Sequence, residues 1–189
     1  MFEYPKSIIK DVKKPEQLIV ADTGNKALRS VDVKTRVVST LIKSDFSFAG
    51  ISQDEQSGDV FIISNQILRY IYQNKMVQHL TGSNMAGYWD GALPHCFFDG
   101  IGDIITLDQT THLLADQGND RIRLVEREKN ATSTLVFQFE GCASEPTELP
   151  FQSCQALSSS PYSMLKVNRT LFIGYNQGII SSKSFRVVE

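Results

Sequence analysis

One short pattern recurs four times along the chain, and it constrains the fold more than any other feature of the sequence. Each copy is an apolar run, then a turn that contains asparagine, then a second run that resembles a β-strand. The four turn asparagines, spaced roughly 40 to 57 residues apart, are Asn25, Asn65, Asn119 and Asn176. A period of this size is typical of propellers and solenoids, in which one supersecondary unit stacks on the next.

The segments between these turns indicate short strands. β-branched and aromatic residues dominate runs of about five residues, separated by Gly, Asn or Asp. The sequence sustains no 3.6-residue apolar period, so we expect very little helix. The strand signals form units at residues 7–44, 45–83, 100–140 and 162–189, and the last unit holds only three runs. We therefore predict one all-β domain, a β-propeller segment with three complete four-stranded antiparallel blades and a partial fourth.

Such an arrangement leaves sheet edges open and the ring unclosed. Unpaired edges are an aggregation hazard, so proteins cover them. We expect the chain to be part of a larger propeller, or a partner chain to cap the open edges.

Composition narrows the partners. The chain has 189 residues, 41% of them hydrophobic, and a net charge of -2, which is typical of a soluble folded protein. This charge favours neither nucleic acid nor an anionic membrane as a partner. No apolar run is long enough to span a bilayer, and the first residues lack the pattern of a signal peptide. We expect membrane attachment only through an anchor outside this sequence.

Cysteines and glycosylation motifs bear on the compartment. Cys142 and Cys154 bracket a loop-like stretch, so a disulfide between them is plausible in an oxidising compartment, with Cys96 left over. Three reduced thiols are the alternative. Asn130 and Asn168 each begin an Asn-x-Thr sequon, although about one such motif is expected by chance. Together these features modestly favour a glycoprotein of the secretory pathway.

Three stretches resemble the NHL-repeat β-propellers. Residues 80–91 read LTGSNMAGYWDG, similar to the family's strand-end TLAG followed by a GYxDG loop. Residues 115–123 read ADQGNDRIR, similar to its ADxGNxRIR, and residues 20–25 read VADTGN. The resemblance covers nearly the whole chain. It is strong in the first and third units, and weaker in the second and fourth, where the Asp is lost.

The repeated motif has a local physical meaning. We expect the Gly-Asn pair to supply the positive φ angles of a tight turn. We also expect Asp22 and Asp116 to accept backbone hydrogen bonds in that turn. An arginine recurs once in each of the first three units, and we predict that its stem packs over the neighbouring blade and its head pairs with a carboxylate or carbonyl. These arginines are Arg29, Arg69 and Arg123.

Strand alternation sorts the loops onto two faces. The turns between second and third strands share one face with the connections from each blade to the next, including the long connections 83–98 and 140–161. We call this the connection face. Long loops gathered on a rigid scaffold are where binding normally occurs. The candidate binding residues there are Tyr88, Trp89, Asp90, His95, Gln117 and Asp120. An exposed Tyr-Trp pair would suit an interface, whereas packing of either ring between blades is the alternative.

Catalytic groups are sparse. His79 falls on an outer strand, His95 in a connection on the connection face and His112 at the opposite turn, so they cannot share one metal at ligand distances of about 2 Å. Asp103 alone offers a carboxylate near the start of an inner strand, where a calcium site would need several. No nucleophile elbow, phosphate loop or carboxylate pair is present. We therefore expect no enzyme activity, no metal and no cofactor.

These observations predict a non-catalytic binding module for a protein or glycan ligand, within a larger secreted or membrane-anchored protein. Two alternatives remain open. One is a metal-dependent lyase or hydrolase, activities known among similar propellers, with ligands partly in missing blades. The other is a cytoplasmic NHL scaffold or RNA-binding module, although Glu140, Glu145 and Glu148 in the longest loop oppose phosphate approach.

Overall fold

A computed structural model describes residues 1–72, 76–135, 160–168, 170–175 and 178–182. Within this part of the chain the strands form four antiparallel sheets, each built from consecutive strands. The predicted all-β propeller segment is therefore confirmed, with three complete blades and a fourth sheet of three described strands. Between residues 136 and 159 the chain lies outside the described residues, as do Cys142 and Cys154.

The strands have the following bounds. Blade 1 contains β1 (Pro5–Lys10), β2 (Gln17–Asp22), β3 (Ala27–Asp32) and β4 (Val38–Lys43). Blade 2 contains β5 (Gly50–Gln53), β6 (Val60–Ser64), β7 (Ile67–Tyr72) and β8 (Met76–Gly82). Blade 3 contains β10 (Ile101–Thr106), β11 (Thr111–Asp116), β12 (Arg121–Glu126), β13 (Ala131–Thr134) and, at its outer edge, β9 (Gly91–Ala92). Blade 4 contains β14 (Pro161–Val167), β15 (Thr170–Tyr175) and β16 (Gly178–Ser182).

Burial explains why the second strands read as apolar runs. Every residue of β6 is buried, because blade 2 is covered on both faces by its neighbours. A strand buried on both faces cannot alternate apolar with polar residues, and a continuous apolar run results. In contrast, β1 is mostly exposed or half-buried.

Three apolar seams hold the blades together. The seam between blades 1 and 2 includes Ala21 and Ile62. The seam between blades 2 and 3 includes Phe61 and Leu114, and the seam between blades 3 and 4 includes Leu113. The first strands of successive blades, β1, β5, β10 and β14, contact one another in that order. The sheets therefore follow one another as an arc of blades with their first strands innermost.

The connection from blade 2 to blade 3 is more ordered than a loop. It contributes β9, a short 3-10 helix at Leu93–His95 and a bridge between Trp89 and Phe97. Cys96 is a free, buried thiol whose Sγ lies 2.6 Å from Oγ1 of Thr81. Burial of apolar residues such as Leu93 fixes this connection in the seam between blades 2 and 3.

Among the described residues, no helix has the length and apolar character needed to cross a membrane.

Candidate functional site

The motif Asp-x-Gly-Asn forms a backbone clamp in blade 1. Oδ1 of Asp22 accepts a hydrogen bond from the N–H of Glu3 at 2.7 Å. The N–H of Gly24 donates to the carbonyl of the same Glu3 at 2.8 Å. Nδ2 of Asn25 donates to Oδ2 of Asp22 at 2.9 Å and to the carbonyl of Met1 at 3.1 Å. The turn therefore holds the chain that enters the first strand of its own blade.

Blade 3 repeats this clamp with the same atoms. Oδ1 of Asp116 accepts from the N–H of Asp99 at 2.8 Å, and the N–H of Gly118 donates to the carbonyl of Asp99 at 2.7 Å. Nδ2 of Asn119 donates to Asp116 at 2.9 Å and to the carbonyl of Gly87 at 2.8 Å. Asp22 and Asp116 do accept backbone hydrogen bonds, but from the entering chain rather than from the turn.

The expected role of the Gly-Asn pair is wrong. The positive φ angles of the two turns belong to the residue after the asparagine, at 49° for Lys26 and 54° for Asp120. Glycine is needed because the entering chain comes so close. A Cβ on Gly24 would lie 2.5 Å from Cγ of Glu3, and a Cβ on Gly118 would lie 2.5 Å from Cγ of Asp99. Close backbone approach therefore selects glycine.

Arg123 joins the clamp of blade 3 to the connection 83–98. Its fully buried guanidinium lies 2.6 Å from Asp116 and 2.6 Å from Asp90. It also donates to the carbonyls of Trp89 at 2.9 Å and Phe97 at 3.2 Å. Such complete pairing is what allows a charge to be buried.

The predicted head pairing of the arginines is confirmed for two of them. Arg29 pairs with Asp22 at 2.9 Å within its own blade, as Arg123 does with Asp116. These carboxylates belong to the arginine's own blade, and the packing of the stems over the neighbouring blade stays a prediction. In blade 2 the Asp is replaced by Ser64, and Arg69 instead lies 4.3 Å above the ring of Phe46. Nη1 of Arg69 is buried and finds no hydrogen-bond partner among the described residues.

Two of the predicted binding residues are held by the fold. Oδ2 of Asp90 accepts from the backbone N–H and the hydroxyl of Thr134 at 3.0 Å and 2.8 Å, in addition to its pair with Arg123. Tyr88 lies 4.9 Å below the guanidinium of Arg123, and its hydroxyl lies 3.1 Å from that of Thr134. Asp90 and Tyr88 therefore anchor the connection at the outer rim of blade 3.

Trp89 points to solvent beside Tyr88 and Asp90, whereas His95 ends the short helix whose first residue, Leu93, donates its N–H to the carbonyl of Asn130 at 3.3 Å, away from the predicted connection face. The side chain of Trp89 is 63% exposed, and His95 is exposed at the end of the short helix. Tyr88, Trp89 and Asp90 are consecutive residues of the connection, whereas Gln117 and Asp120 belong to the turn between β11 and β12.

A shallow cavity of about 440 Å³ lies where the first strands begin, on the connection face. It is formed by the starts of three first strands, the residue before β5 and two of the turns between second and third strands. Its lining residues are Lys6, Ala49, Asn65, Gln66, Gly100, Ile101, Gly102, Gln117 and Tyr162. We call it the mouth cavity, because it opens between the inner ends of the four blades.

Gln117 lines the mouth cavity, whereas the other predicted binding residues do not. Sequence reasoning missed Lys6, Asn65, Gln66 and Tyr162. The repeat could have identified them. Lys6 and Tyr162 lie near the start of the first strand of their blades, and Asn65 and Gln66 form the Asn-bearing turn of blade 2. Asp120 is exposed in the turn beside Gln117. Burial, together with the negative charge of Asp120, raises the pKa of Tyr175 to about 12.

The groups considered for metal binding have other partners. Oδ2 of Asp103 accepts from the N–H of Met164 at 2.7 Å, linking the first strands of blades 3 and 4. Burial raises the pKa of Asp103, although two backbone N–H groups oppose the rise. His112 is buried against the ring of Phe61, at 4.1 Å between centroids. The described residues contain no group of three or more His, Cys, Asp or Glu placed to hold a metal ion.

Both sequon asparagines lie at exposed turns. Asn130 has a φ of 52° between β12 and β13, and Asn168 a φ of 54° between β14 and β15. Both turns are on the face opposite the mouth cavity. They join a third to a fourth strand or a first to a second strand, whereas the cavity lies at the turns between second and third strands.

Comparisons with known proteins address the fold. No family model matches the sequence, and a search of curated proteins found no match. Among solved structures, a protein of unknown function from Bacteroides thetaiotaomicron matches with a TM-score of 0.74 at 15% identity, over 95% of this chain and 47% of that one. An auxiliary nutrient binding protein from Bacteroides ovatus matches with a TM-score of 0.74 at 13% identity, over 95% and 48%.

A third solved structure is an enzyme. Streptogramin B lyase matches with a TM-score of 0.60 at 10% identity, over 94% of this chain and 50% of the lyase. This chain therefore spans about half the length of the structures that it resembles. At these identities the likeness concerns architecture alone: the chain has the β-propeller fold of these proteins.

Proposed function

We propose that this chain is a non-catalytic binding module that takes a protein or glycan ligand on its connection face, with the mouth cavity as the binding site. The observation that carries the proposal is the convergence of side-chain amides, a tyrosine and a lysine at that cavity. Ligand sites in proteins are concave and place a few polar groups at fixed positions.

The chemistry of the lining favours a ligand rich in hydroxyl or amide groups. Asn65, Gln66 and Gln117 each carry both donors and an acceptor, which suits sugar hydroxyls and peptide groups alike. Tyr162 is exposed and adds an aromatic surface beside them, and Lys6 adds a positive charge. A solved protein of similar fold is described as nutrient binding, which supports a binding role without indicating the ligand.

The proposal includes membership of the NHL-type propellers. The Asp-x-Gly-Asn clamp with an arginine seven positions after the Asp occurs in blades 1 and 3 with the same hydrogen bonds. Because the motif forms one geometric unit, its recurrence is difficult to explain as chance.

An extracellular setting, in a secreted or membrane-anchored protein, is the second part of the proposal. Its support is the exposure of Asn130 and Asn168 at turns, where a glycan can be attached without disturbing a seam. Mass spectrometry of native material should find glycans at these two positions. Unmodified asparagines would contradict the extracellular setting and favour the cytoplasmic alternative.

A metal-dependent lyase or hydrolase is the alternative, favoured by the likeness to streptogramin B lyase. It would require metal ligands beyond the described residues. Metal analysis of the purified protein separates the two functions, since a stoichiometric bound metal would favour the enzyme.

The binding proposal can be tested with a panel of immobilised neutral and acidic oligosaccharides and extended peptides. We expect one class of probe to bind, and the double variant Gln117→Ala with Tyr162→Ala to weaken that binding at least about tenfold, or about 1.4 kcal/mol. Trp89→Ala is the matched control, because it removes an exposed aromatic from the outer rim. Loss of binding in the control but not in the double variant would move the site to the rim.

A further inference from the structure

The first and last sheets of the arc each expose apolar side chains on the face that has no neighbouring blade. On blade 1, the side chain of Ile8 is 59% exposed. On blade 4, the side chains of Leu165 and Ile179 are 60% and 75% exposed. We call these surfaces the blade 1 face and the blade 4 face. Exposed apolar residues mark an interaction surface when they lie together on one face, and Leu165 and Ile179 do so on blade 4.

Strand register shows what the blade 1 face corresponds to. In blades 2, 3 and 4 a cross-strand pair from the first and second strands packs against the preceding blade. These pairs are Ile51–Ile62, Ile104–Leu114 and Met164–Ile173, and all six residues are buried in the three seams. The same pair in blade 1 is Ile8–Val20. The blade 1 face therefore carries the residues that would pack against a preceding blade.

The blade 4 face is the other half of a seam. In blades 1, 2 and 3 a pair from the second and third strands packs against the following blade. These pairs are Ala21–Leu28, Ile63–Leu68 and Ala115–Ile122, all buried. The corresponding pair in blade 4 is Gly174–Ile179. The two faces are thus the complementary halves of one more seam.

A polar contact is repeated together with the apolar pairs. Oγ of Ser7 accepts from the backbone N–H of Ile51 at 3.3 Å across the first seam. Oδ2 of Asp103 accepts from the N–H of Met164 at 2.7 Å across the third. Ser7, Asp103 and Ser163 have the same register, because each pairs with the residue before the last of its second strand. Ser163 is exposed, and Ile8 has the register of Ile51 and Met164.

We propose that a second copy of this chain covers both faces, with blade 1 of each copy packed against blade 4 of the other. Ile8 would fill the blade 4 face, and its N–H would donate to Ser163 of the other copy. Two arcs of four sheets would form a ring of eight, within the four to eight blades that propellers use. A two-fold axis would make the two new seams identical and close the assembly.

The length of two similar propellers matches two copies of this chain. The chain matches 47% and 48% of the two solved structures with a TM-score of 0.74. Two copies would therefore supply about the amount of polypeptide that each of those proteins contains. This interface is independent of the ligand site, since Ile8, Leu165 and Ile179 do not line the mouth cavity.

The test is the mass of the chain in solution, measured by light scattering during size-exclusion chromatography. At about 100 μM we expect twice the monomer mass of 21.2 kDa. The two copies would share two identical seams, and both seams stabilise the dimer. Ile8→Asp and Ile179→Asp should each give a monomer, since either change places a charge in both seams. Met85→Asp is the matched control: its side chain is 65% exposed outside both faces, so the dimer should persist.

Mixing the two variants makes the test specific. Ile8→Asp retains a native blade 4 face and Ile179→Asp a native blade 1 face, so the mixture should form a heterodimer through one intact seam. Circular dichroism checks that each variant is folded, and Leu165→Asp replaces Ile179→Asp if the latter is not.

Three results would overturn the proposal. If the wild type is a monomer, the two faces are covered by a different propeller segment, either in a partner protein or in further sequence of the same protein. A dimer that survives both substitutions would lie on another surface. A series of larger multiples would mean an open chain of copies instead of a closed ring.

Discussion

Arg123 and His112 are both fully buried in blade 3, yet they reach this state in different ways. Arg123 has its buried head fully paired, because two carboxylates and two carbonyls surround the guanidinium. His112 has Phe61 against its ring, and its Nε2 is buried without a hydrogen-bond partner among the described residues. Burial and the positive charge of Arg127 lower the pKa of His112 to about 3, although Asp108 and Asp54 oppose the shift. The imidazole is therefore neutral in the folded protein.

The low pKa of His112 predicts an acid-sensitive fold. An unfolded histidine takes up a proton near pH 6.5, whereas folded His112 does so near pH 3. Between these values the unfolded state binds more protons, so the free energy of unfolding falls as the pH is lowered, by up to about 1.4 kcal/mol per pH unit. Denaturant unfolding at several pH values between 7 and 5 should reveal this slope.

His112→Phe isolates the contribution of the ring nitrogens, since a phenyl ring can still pack on Phe61. We expect the variant to lose most of the pH slope in this range. His95→Gln serves as the control, because His95 is exposed and its removal should leave the slope intact. An unchanged slope in His112→Phe would show that another group titrates.

At the scale of the elements, the Asp-x-Gly-Asn turn is a device for holding the entering chain rather than only a reversal between two strands. The turn and residue 99 exchange two hydrogen bonds, through Asp116 and Gly118. At 2.7 Å between Gly118 N and Asp99 O, the two backbones leave no space for a side chain. The clamp therefore joins the end of the connection 83–98 to the turn between the second and third strands of blade 3.

Gly118→Ala should destabilise the fold by about 1–3 kcal/mol, because a methyl group must displace Asp99. The loss should appear as a lower midpoint in denaturant unfolding. Gln117→Ala, one residue earlier in the same turn, keeps its backbone hydrogen bond to Gly100 and should change stability by no more than about 0.5 kcal/mol. Equal midpoints for the two variants would refute the close-approach explanation of the glycine.

At the scale of the whole molecule, stability is shared among the seams. Blades 2 and 3 are packed on both faces, whereas blades 1 and 4 are packed on one. In stacked repeats, stability is approximately the sum of what each unit and each interface contributes. The end blades should consequently open more readily than the middle ones.

Hydrogen exchange of a dilute sample can measure this difference. We expect the amides of β6 and β11 to exchange more slowly than those of β2 and β15, which occupy the same place in the end blades. Comparing second strands alone removes differences that arise from strand position. Uniform protection in all four would mean that the arc unfolds as one cooperative unit.

The strands and their grouping were predictable, because they depend on neighbours in sequence. Apolar runs separated by Asn-bearing turns indicated the second strands, and the repeat ordered the strands into blades. The connection 83–98 was less predictable. Its short helix and β9 depend on Leu93 and Cys96 finding buried positions between blades 2 and 3, which no local pattern specifies.

The sequence by itself determined the all-β fold, the order of the blades and the face on which the turns gather, since hydrogen bonding between adjacent strands decides these. Only the tertiary structure decided that Asp90 supports Arg123, that Gly118 makes room for Asp99, and that Lys6 and Tyr162 line one cavity. The physical reason is distance along the chain: each relation joins residues from different elements, whose approach depends on how the blades pack.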